Sequence, residues 1–149
     1  MRTDVHEGGG GRIVAGVDGS SSSRGALTWA VRQAHLTEST LEIVMTWQWP
    51  PSYAWVVPIP DDWDPEEEMR QSLESIVTEL RTTNPELSIE PRLANGHPAS
   101  VLVEASKGAD LLVVGSRGHG EFTGMLIGSV SEHCATSAHC PVLVHRSAA

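Results

Sequence analysis

One stretch, residues 111–131, constrains the fold of this chain more than any other. It opens with four consecutive apolar residues, 111–114, which predict a buried parallel strand. The run ends at Gly115, and four further glycines follow by residue 128. A strand of this kind delivers its loop to the carboxyl edge of a sheet, where open α/β folds bind their ligands. The stretch therefore predicts a strand, a binding loop and a helix, in that order.

The glycines and serines of this stretch favour an anion site. Gly115 and Gly118 lack a Cβ, so backbone N–H groups there can approach an anion closely. A helix that begins at Gly128 and Ser129 would add its free first-turn N–H groups and the hydroxyls of Ser129 and Ser131. Two such cradles suit a polyphosphate. The same spacing also fits a glycine-rich surface loop closed by a serine cap, so spacing alone leaves both interpretations open.

The motif Gly115-x2-Gly118-x9-Gly128-Ser129 resembles the ATP-binding signature of the universal stress protein family. Residues 13–20 (IVAGVDGS) are similar to the first strand and turn of that family, and residues 140–144 (CPVLV) to its last strand. The resemblance spans roughly residues 12–146, with three motifs in the expected order. It implies ATP as the ligand, with Mg²⁺ carried on the phosphates and no metal held by protein side chains.

The resemblance also implies which residues contact the nucleotide. Asp18, at the end of the first strand, would meet a ribose hydroxyl or the adenine amino group, although the residue alone is more typical of a turn. Thr46, at the end of the second strand, would read the base through its main chain. No catalytic residue is assigned. The expected contacts are Gly16, Val17, Asp18, Thr46, Gly115, Arg117, Gly118, Gly128, Ser129, Val130 and Ser131.

Strand and helix patterns alternate β-α-β-α-β-α-β-α-β along residues 12–147, which we interpret as one domain. This alternation predicts an α/β fold, a doubly wound five-stranded parallel sheet with helices on both faces. Right-handed crossovers with one reversal suggest the strand order 3-2-1-4-5, which is also the order of the family. Residues 1–11 end in four consecutive glycines, so we expect a disordered N-terminal tail there.

Composition and charge exclude several classes of protein. Ten Lys+Arg against nineteen Asp+Glu give a formal net charge of −9, which argues against nucleic-acid binding. No apolar run reaches the ~20 residues of a membrane span, and the first residues lack the apolar core of a secretory signal. We therefore expect a cytoplasmic protein with no membrane partner. Cys134 and Cys140, next to His133 and His139, are interpreted as packing and surface residues rather than as zinc ligands.

Residues 48–65 have the most distinctive composition of any segment of the chain. They contain five prolines, and four aromatic residues, Trp49, Tyr53, Trp55 and Trp63. Proline excludes regular structure, while aromatic rings need burial or a partner. We expect an irregular excursion whose rings cover the domain itself. The alternative is a lid or a surface that docks a protein partner near the adenine side.

The last strand, residues 142–146, is expected to lie at an open edge of the sheet. Its apolar core, Val142-Leu143-Val144, carries no charge, whereas the other edge strand is protected by Glu90 and Pro91. An uncharged edge invites pairing with a second chain. We therefore predict a homodimer in which this strand pairs antiparallel with its copy and Leu143 lies near the two-fold axis, an arrangement that the family resemblance also implies.

Three functions remain open from the sequence. We favour a binding module, an ATP-loaded stress-response regulator whose nucleotide state alters partners or assembly. The second is a slow ATPase or phosphotransferase, for which the glycine-rich loop offers only Glu121 as a carboxylate to orient a water. The third is AMP or cyclic-nucleotide binding, since the adenine pocket would be common to all. The P-loop pattern G-x4-G-K-[ST] is absent from the sequence.

Overall fold

The computed structural model describes residues 10–49, 60–117 and 127–146. In these ranges strands and helices alternate in a single parallel sheet with the strand order β3-β2-β1-β4-β5. The predicted fold class and strand order are confirmed. The elements are β1 (Arg12–Gly16), α1 (Ser21–Thr37), β2 (Thr40–Trp47), α2 (Pro65–Thr83), β3 (Ile89–Asn95), α3 (Pro98–Ala105), β4 (Leu111–Gly115), α4 (Ser129–Ser137) and β5 (Val142–His145).

Helices cover both faces of the sheet. One apolar cluster lies between the sheet and the helices α1 and α2, and it includes Ile13, Leu41 and Ile43. The other lies on the side of α3 and α4, and it includes Val14 and Leu112. Successive residues of β1 thus enter different cores, because side chains alternate across a strand. Burial on both faces explains why the inner strands are continuous apolar runs.

Of the described helices, α1, α2 and α3 begin at side-chain caps, whereas α4 does not. The Ser20 hydroxyl accepts a hydrogen bond from Ser23 N at 3.2 Å and so caps α1. Asp64 caps α2 in the same way, accepting from Glu67 N at 3.2 Å. Helix α4 begins after Gly128, which offers no side-chain acceptor. The first-turn N–H groups of α4 are therefore not satisfied by their own cap residue.

Arg12 of β1 forms an ion pair with the buried Glu42 of β2 and hydrogen bonds to the chain at the end of α3. Glu42 is only 8% exposed, and its carboxylate lies 2.8 Å from Arg12 Nη1 and 3.5 Å from Arg92 Nη1. The second guanidinium nitrogen of Arg12 donates to the carbonyl oxygens of Ala105 at 3.1 Å and Lys107 at 2.7 Å. A buried carboxylate is costly unless it is paired, so this network both compensates Glu42 and satisfies the carbonyl end of α3.

Gly10 and Gly11, which the prediction places in the tail, are packed against the domain. A Cβ at Gly11 would overlap the Asp110 carboxylate, and a Cβ at Gly10 would overlap the Glu38 carbonyl oxygen. The Gly11 carbonyl oxygen accepts from Thr40 N at 2.9 Å. Both glycines are therefore needed for close approach, and the packed part of the chain includes two residues of the predicted tail. Residues 1–9 lie outside the described residues.

The proline- and tryptophan-rich segment 48–65 is described only at its two ends. Residues 48, 49 and 60–64 form neither helix nor strand, as the prolines predict. Residues 50–59 lie outside the described residues, so the lid and docking interpretations remain predictions. Within the described ranges, no helix has the length and apolar character required to cross a membrane.

Candidate functional site

A cavity of about 430 Å³ opens at the carboxyl ends of β1, β2 and β4. The strand order reverses between β1 and β4, and open α/β sheets bind ligands at such a switch point. First-turn residues of α1, α3 and α4 complete the walls of the cavity, together with Met69 of α2. The topology thus brings together segments that are more than 100 residues apart in sequence.

Most of the residues predicted to contact a nucleotide line this cavity. They are Gly16, Val17, Asp18, Thr46, Gly115, Arg117, Val130 and Ser131. Gly128 and Ser129 precede Val130 at the start of α4 but do not themselves line the cavity. Gly118 lies outside the described residues. The structure therefore gathers the predicted residues of four separate segments around one space.

Asp18 has a structural role as well as a place in the cavity wall. Its Oδ1 accepts a hydrogen bond from Ser20 N at 2.9 Å, and its own N–H donates to Ser23 Oγ at 3.4 Å. The carboxylate therefore shapes the turn that leads from β1 into α1, as the turn interpretation of the sequence expects. The same residue also lines the cavity.

The end of β4 is glycine for a reason that the sequence does not show. A Cβ at Gly115 would lie 2.6 Å from Ser22 Oγ and 2.7 Å from the carbonyl carbon of Ser22. The first turn of α1 therefore packs directly on Gly115. Ser22 Oγ also accepts from Arg117 N at 3.3 Å, so α1 holds the beginning of the loop. Close helix packing, rather than approach of an anion alone, requires the glycine at this position.

Helix α4 is joined to the end of β4 by two hydrogen bonds. The Ser131 hydroxyl donates to the Gly115 carbonyl oxygen, and Gly128 N donates to the Ser116 carbonyl oxygen. The proton of the Ser131 hydroxyl is thus already engaged, whereas the sequence interpretation offers it to an anion. The N-terminus of α4, with its positive end of the helix dipole, is held beside the cavity.

The charged groups at the cavity are few. Among its described lining residues, Arg117 is the one permanent cation and Asp18 the one carboxylate. Clusters of three or more His, Cys, Asp or Glu side chains suited to holding a metal do not occur in the described ranges. Positive potential at this end of the sheet therefore comes from Arg117 and from the helix N-termini.

Several lining residues were missed by the sequence analysis. Met45, Trp47 and Gln48 flank the predicted Thr46, so adjacency on one strand end could have indicated them. Met69 and Pro98 belong to α2 and α3 and reach the cavity only through packing of the helices on the sheet. The remaining missed residues are Ser23, Val44, Leu102 and Val114.

The two cysteines differ in their surroundings. Cys134 of α4 is fully buried, and burial raises the pKa of its thiol from 9.0 to about 11. Cys140 is half-buried, and burial raises its pKa as well. Both thiols are free and stay protonated at neutral pH.

Comparison with known proteins places the chain in a family. Residues 11–146 match the model of the universal stress protein family, so the chain belongs to that family. A universal stress protein of Mycolicibacterium smegmatis is 36% identical over 135 residues, which are 90% of this chain and 45% of the relative. The chain thus spans just under half the length of that curated relative.

Solved structures share the fold. The universal stress protein UspA from Lactobacillus plantarum has a TM-score of 0.77 at 20% identity, with 91% of this chain and 97% of that chain covered. A universal stress protein solved in complex with cAMP has a TM-score of 0.67 at 27% identity, with 94% of this chain and 99% of that chain covered.

Proposed function

We propose that this universal stress protein binds ATP in the cavity at the switch point, with Mg²⁺ carried on the phosphates. In this proposal it acts as a nucleotide-dependent regulator of the stress response, and binding rather than turnover is its activity. The observation that carries the proposal is the convergence of the predicted contact residues around one cavity of about 430 Å³. Cavities of this size are typical of small-molecule sites.

The phosphates would lie at the β4–α4 side of the cavity. Arg117 supplies a cation there, and the N-terminus of α4 supplies N–H groups that its glycine cap leaves unsatisfied. Gly118, Gly128 and Ser129 belong to the same cradle in this proposal. The formal net charge of −9 does not oppose a polyanion here, because distant carboxylates are screened over a Debye length of about 8 Å.

The adenosine would lie toward β1 and β2. Asp18 and Thr46 line this part of the cavity, with Gly16 and Val17 beneath it. In this proposal the Asp18 carboxylate, which borders this part of the cavity, accepts a hydrogen bond from a ribose hydroxyl.

Binding is favoured over catalysis by the chemistry of the described wall. Phosphoryl transfer needs a group that orients the nucleophile, and Asp18, the one carboxylate among the described lining residues, is assigned to the ribose in this proposal. A slow ATPase therefore remains the less favoured enzyme alternative. Cyclic-nucleotide binding is the second candidate ligand class, because a family member that is 27% identical was solved in complex with cAMP. AMP shares the same adenosine.

The test is to identify the nucleotide that the protein carries. Freshly purified protein is denatured and the released nucleotide is separated by chromatography, and ATP, AMP and cAMP are then titrated by calorimetry with and without Mg²⁺. We expect ATP to be released and to bind most tightly with Mg²⁺. Tighter binding of cAMP would instead support the second candidate, and no binding of any adenine nucleotide would overturn the proposal.

Gly128→Val tests the part of the site that is proposed to hold the phosphates. Gly128 is buried at the cap of α4, where a branched side chain would crowd the first-turn N–H groups that the proposal assigns to the phosphates. We expect this variant to lose ATP binding but to keep its affinity for adenosine. Steady-state phosphate release near 1 s⁻¹ that disappears in the variant would identify an ATPase instead.

We also propose that the protein forms a homodimer through β5. The carbonyl oxygens of Pro141 and His145 accept from N–H groups of the β4 side at 2.9 and 2.8 Å. Since successive strand residues direct their backbone groups to opposite sides, the N–H and C=O groups of Val142 and Val144 point away from the sheet. A two-fold axis at Leu143 would pair Val142 with Val144 of the second copy. This pairing matches the outward direction of the N–H and C=O groups of both residues.

A further inference from the structure

Three tryptophans lie in contact beside the β2 end of the cavity. The ring centroids of Trp47 and Trp49 are 6.0 Å apart with an interplanar angle of 76°. Those of Trp49 and Trp63 are 6.3 Å apart at 81°. Both pairs are edge-to-face, which is a preferred arrangement of aromatic rings. We call these three residues the tryptophan cluster.

The cluster joins the cavity to the start of α2. Trp47 follows Thr46 at the end of β2 and lines the cavity, whereas Trp49 and Trp63 do not. Trp49 is 59% exposed. Trp63 precedes α2, and its indole N–H donates to Glu68 Oε2 of that helix at 3.3 Å. Trp47, which lines the cavity, is thus in contact with Trp49, and Trp49 in turn contacts Trp63.

The wall around Trp47 carries no charge and combines two polarisable methionines with the polar side chains of Thr46 and Gln48. Met45 and Met69 line the cavity on the face that α2 covers, and Met45 is buried in the core beneath that helix. The charged lining residues, Asp18 and Arg117, belong to the ends of β1 and β4. This end of the cavity therefore suits an uncharged planar group rather than a sugar or a phosphate.

We infer that Trp47 stacks its indole against the base of the bound nucleotide and so contributes to the affinity of this site for nucleotides over ligands without an aromatic base. Trp49, which contacts the Trp47 ring directly, acts as a positioning residue that keeps that ring in place, whereas Trp63 contacts only Trp49 within the cluster. A ring already fixed in the free protein loses little conformational freedom on binding, so most of the stacking energy appears as affinity. The inference rests on the proposed function and adds that the ligand must carry an aromatic base at the β2 end.

Two leucine variants test this inference. Trp47→Leu should weaken adenosine and AMP by the same factor, about tenfold, because the lost contact is to the base that both share. Trp63→Leu is the matched control, since it removes a tryptophan of the cluster that does not line the cavity. It should leave both affinities within about twofold. Calorimetry measures the affinities, and thermal unfolding shows whether each variant is folded.

Tryptophan fluorescence supplies a second readout that a purely structural role would not change. Adenosine should quench the emission of the wild type and of Trp63→Leu. In Trp47→Phe, which keeps a stacking ring, affinity should stay within about threefold while the quenching is lost. This variant retains an aromatic side chain and so also serves if Trp47→Leu does not fold.

Specific results would overturn the inference. Unchanged adenosine affinity in a folded Trp47→Leu protein would show that the ring does not contact the base. A loss confined to AMP would place its effect at the phosphate, and quenching that persists in Trp47→Phe would assign the base to another tryptophan. If the wild type bound neither adenosine nor AMP, the proposed function itself would fail, which is a separate outcome.

Discussion

Gly115 lies directly against the backbone of Ser22, 93 residues earlier in the chain. A Cβ at residue 115 would come within 2.7 Å of the Ser22 carbonyl carbon, and the Ser22 hydroxyl accepts a hydrogen bond from Arg117 N. The first turn of α1 and the end of β4 are therefore a single packed unit. The cavity residues on either side of it, Asp18 and Arg117, take their relative position from this contact.

The first prediction compares two glycines at strand ends. Gly115→Ala should destabilise the protein by about 1–3 kcal/mol, because the added methyl meets the backbone of Ser22. Gly16→Ala should cost less, since its Cβ would lie 2.8 Å from Leu102 Cδ1, the movable end of a side chain. Chemical denaturation of both variants measures the difference. Equal losses would show that the Ser22 contact can relax as easily as a leucine methyl.

The second prediction separates the two roles of Asp18. Asp18→Ala removes the acceptor for Ser20 N and should lower both the free energy of unfolding and nucleotide affinity, each by about 1–3 kcal/mol. Asp18→Asn keeps an oxygen at that position, so it should retain stability to within a few tenths of a kcal/mol. ATP and adenosine should lose affinity alike in Asp18→Ala. A loss limited to ATP would mean that Asp18 acts through the metal ion.

The third prediction distinguishes the two sides of β5. Val144→Pro removes an N–H group that points away from the sheet, so it should give a folded monomer in light scattering. Leu143→Pro removes a group that faces β4, and Leu143 also packs against the core beneath α1 and α2. Leu143→Pro should therefore lower the melting temperature of the protein in addition to disrupting the dimer. A dimer that survives Val144→Pro would place the interface elsewhere on the protein.

The fourth prediction follows from the pKa of Cys134, which is raised in the folded protein from 9.0 to about 11. Above pH 9 the unfolded thiol loses its proton while the folded one keeps it, so the unfolded state is favoured as pH rises toward 11. The stability that Cys134 contributes is complete below pH 9 and declines above it. The difference in unfolding free energy between wild type and Cys134→Ala should therefore shrink over this range. A constant difference would show that the folded thiol ionises normally.

The sequence was sufficient for the architecture because the strands are buried on both faces. Continuous apolar runs such as residues 111–114 are typical of inner parallel strands, and Ser20 and Asp64 mark the helix starts that the structure shows. The edge position of β3, with Pro91 in its middle, also follows from the missing proline donor.

Site residues at the ends of strands could be predicted from the sequence, whereas those that reach the cavity through helix packing could not. Residues at strand ends, such as Asp18 and Thr46, could be placed because the carboxyl ends of parallel strands share one edge. Trp47 and Met69 could not, because their part in the cavity depends on how α2 packs on the sheet. The same limit applies to Gly11. A side chain there would collide with the carboxylate of Asp110, which is about 100 residues away in sequence and could not be foreseen.

The central position of β1 has a consequence for how the chain is made. Among the strands of this sheet β1 is synthesised first, and β2 covers one of its sides soon afterwards, but β4 covers the other only when residues 111–115 have been synthesised. At about 5–20 residues per second, that interval lasts roughly 5–20 seconds. The hydrogen bonds from Arg12 to Ala105, Lys107 and Asp110 can also form only at the end of this interval, because these partners immediately precede β4. A nascent chain interrupted before β4 would leave β1 as an edge strand with one side unpaired, so translation must pass residue 115 before the sheet can be completed.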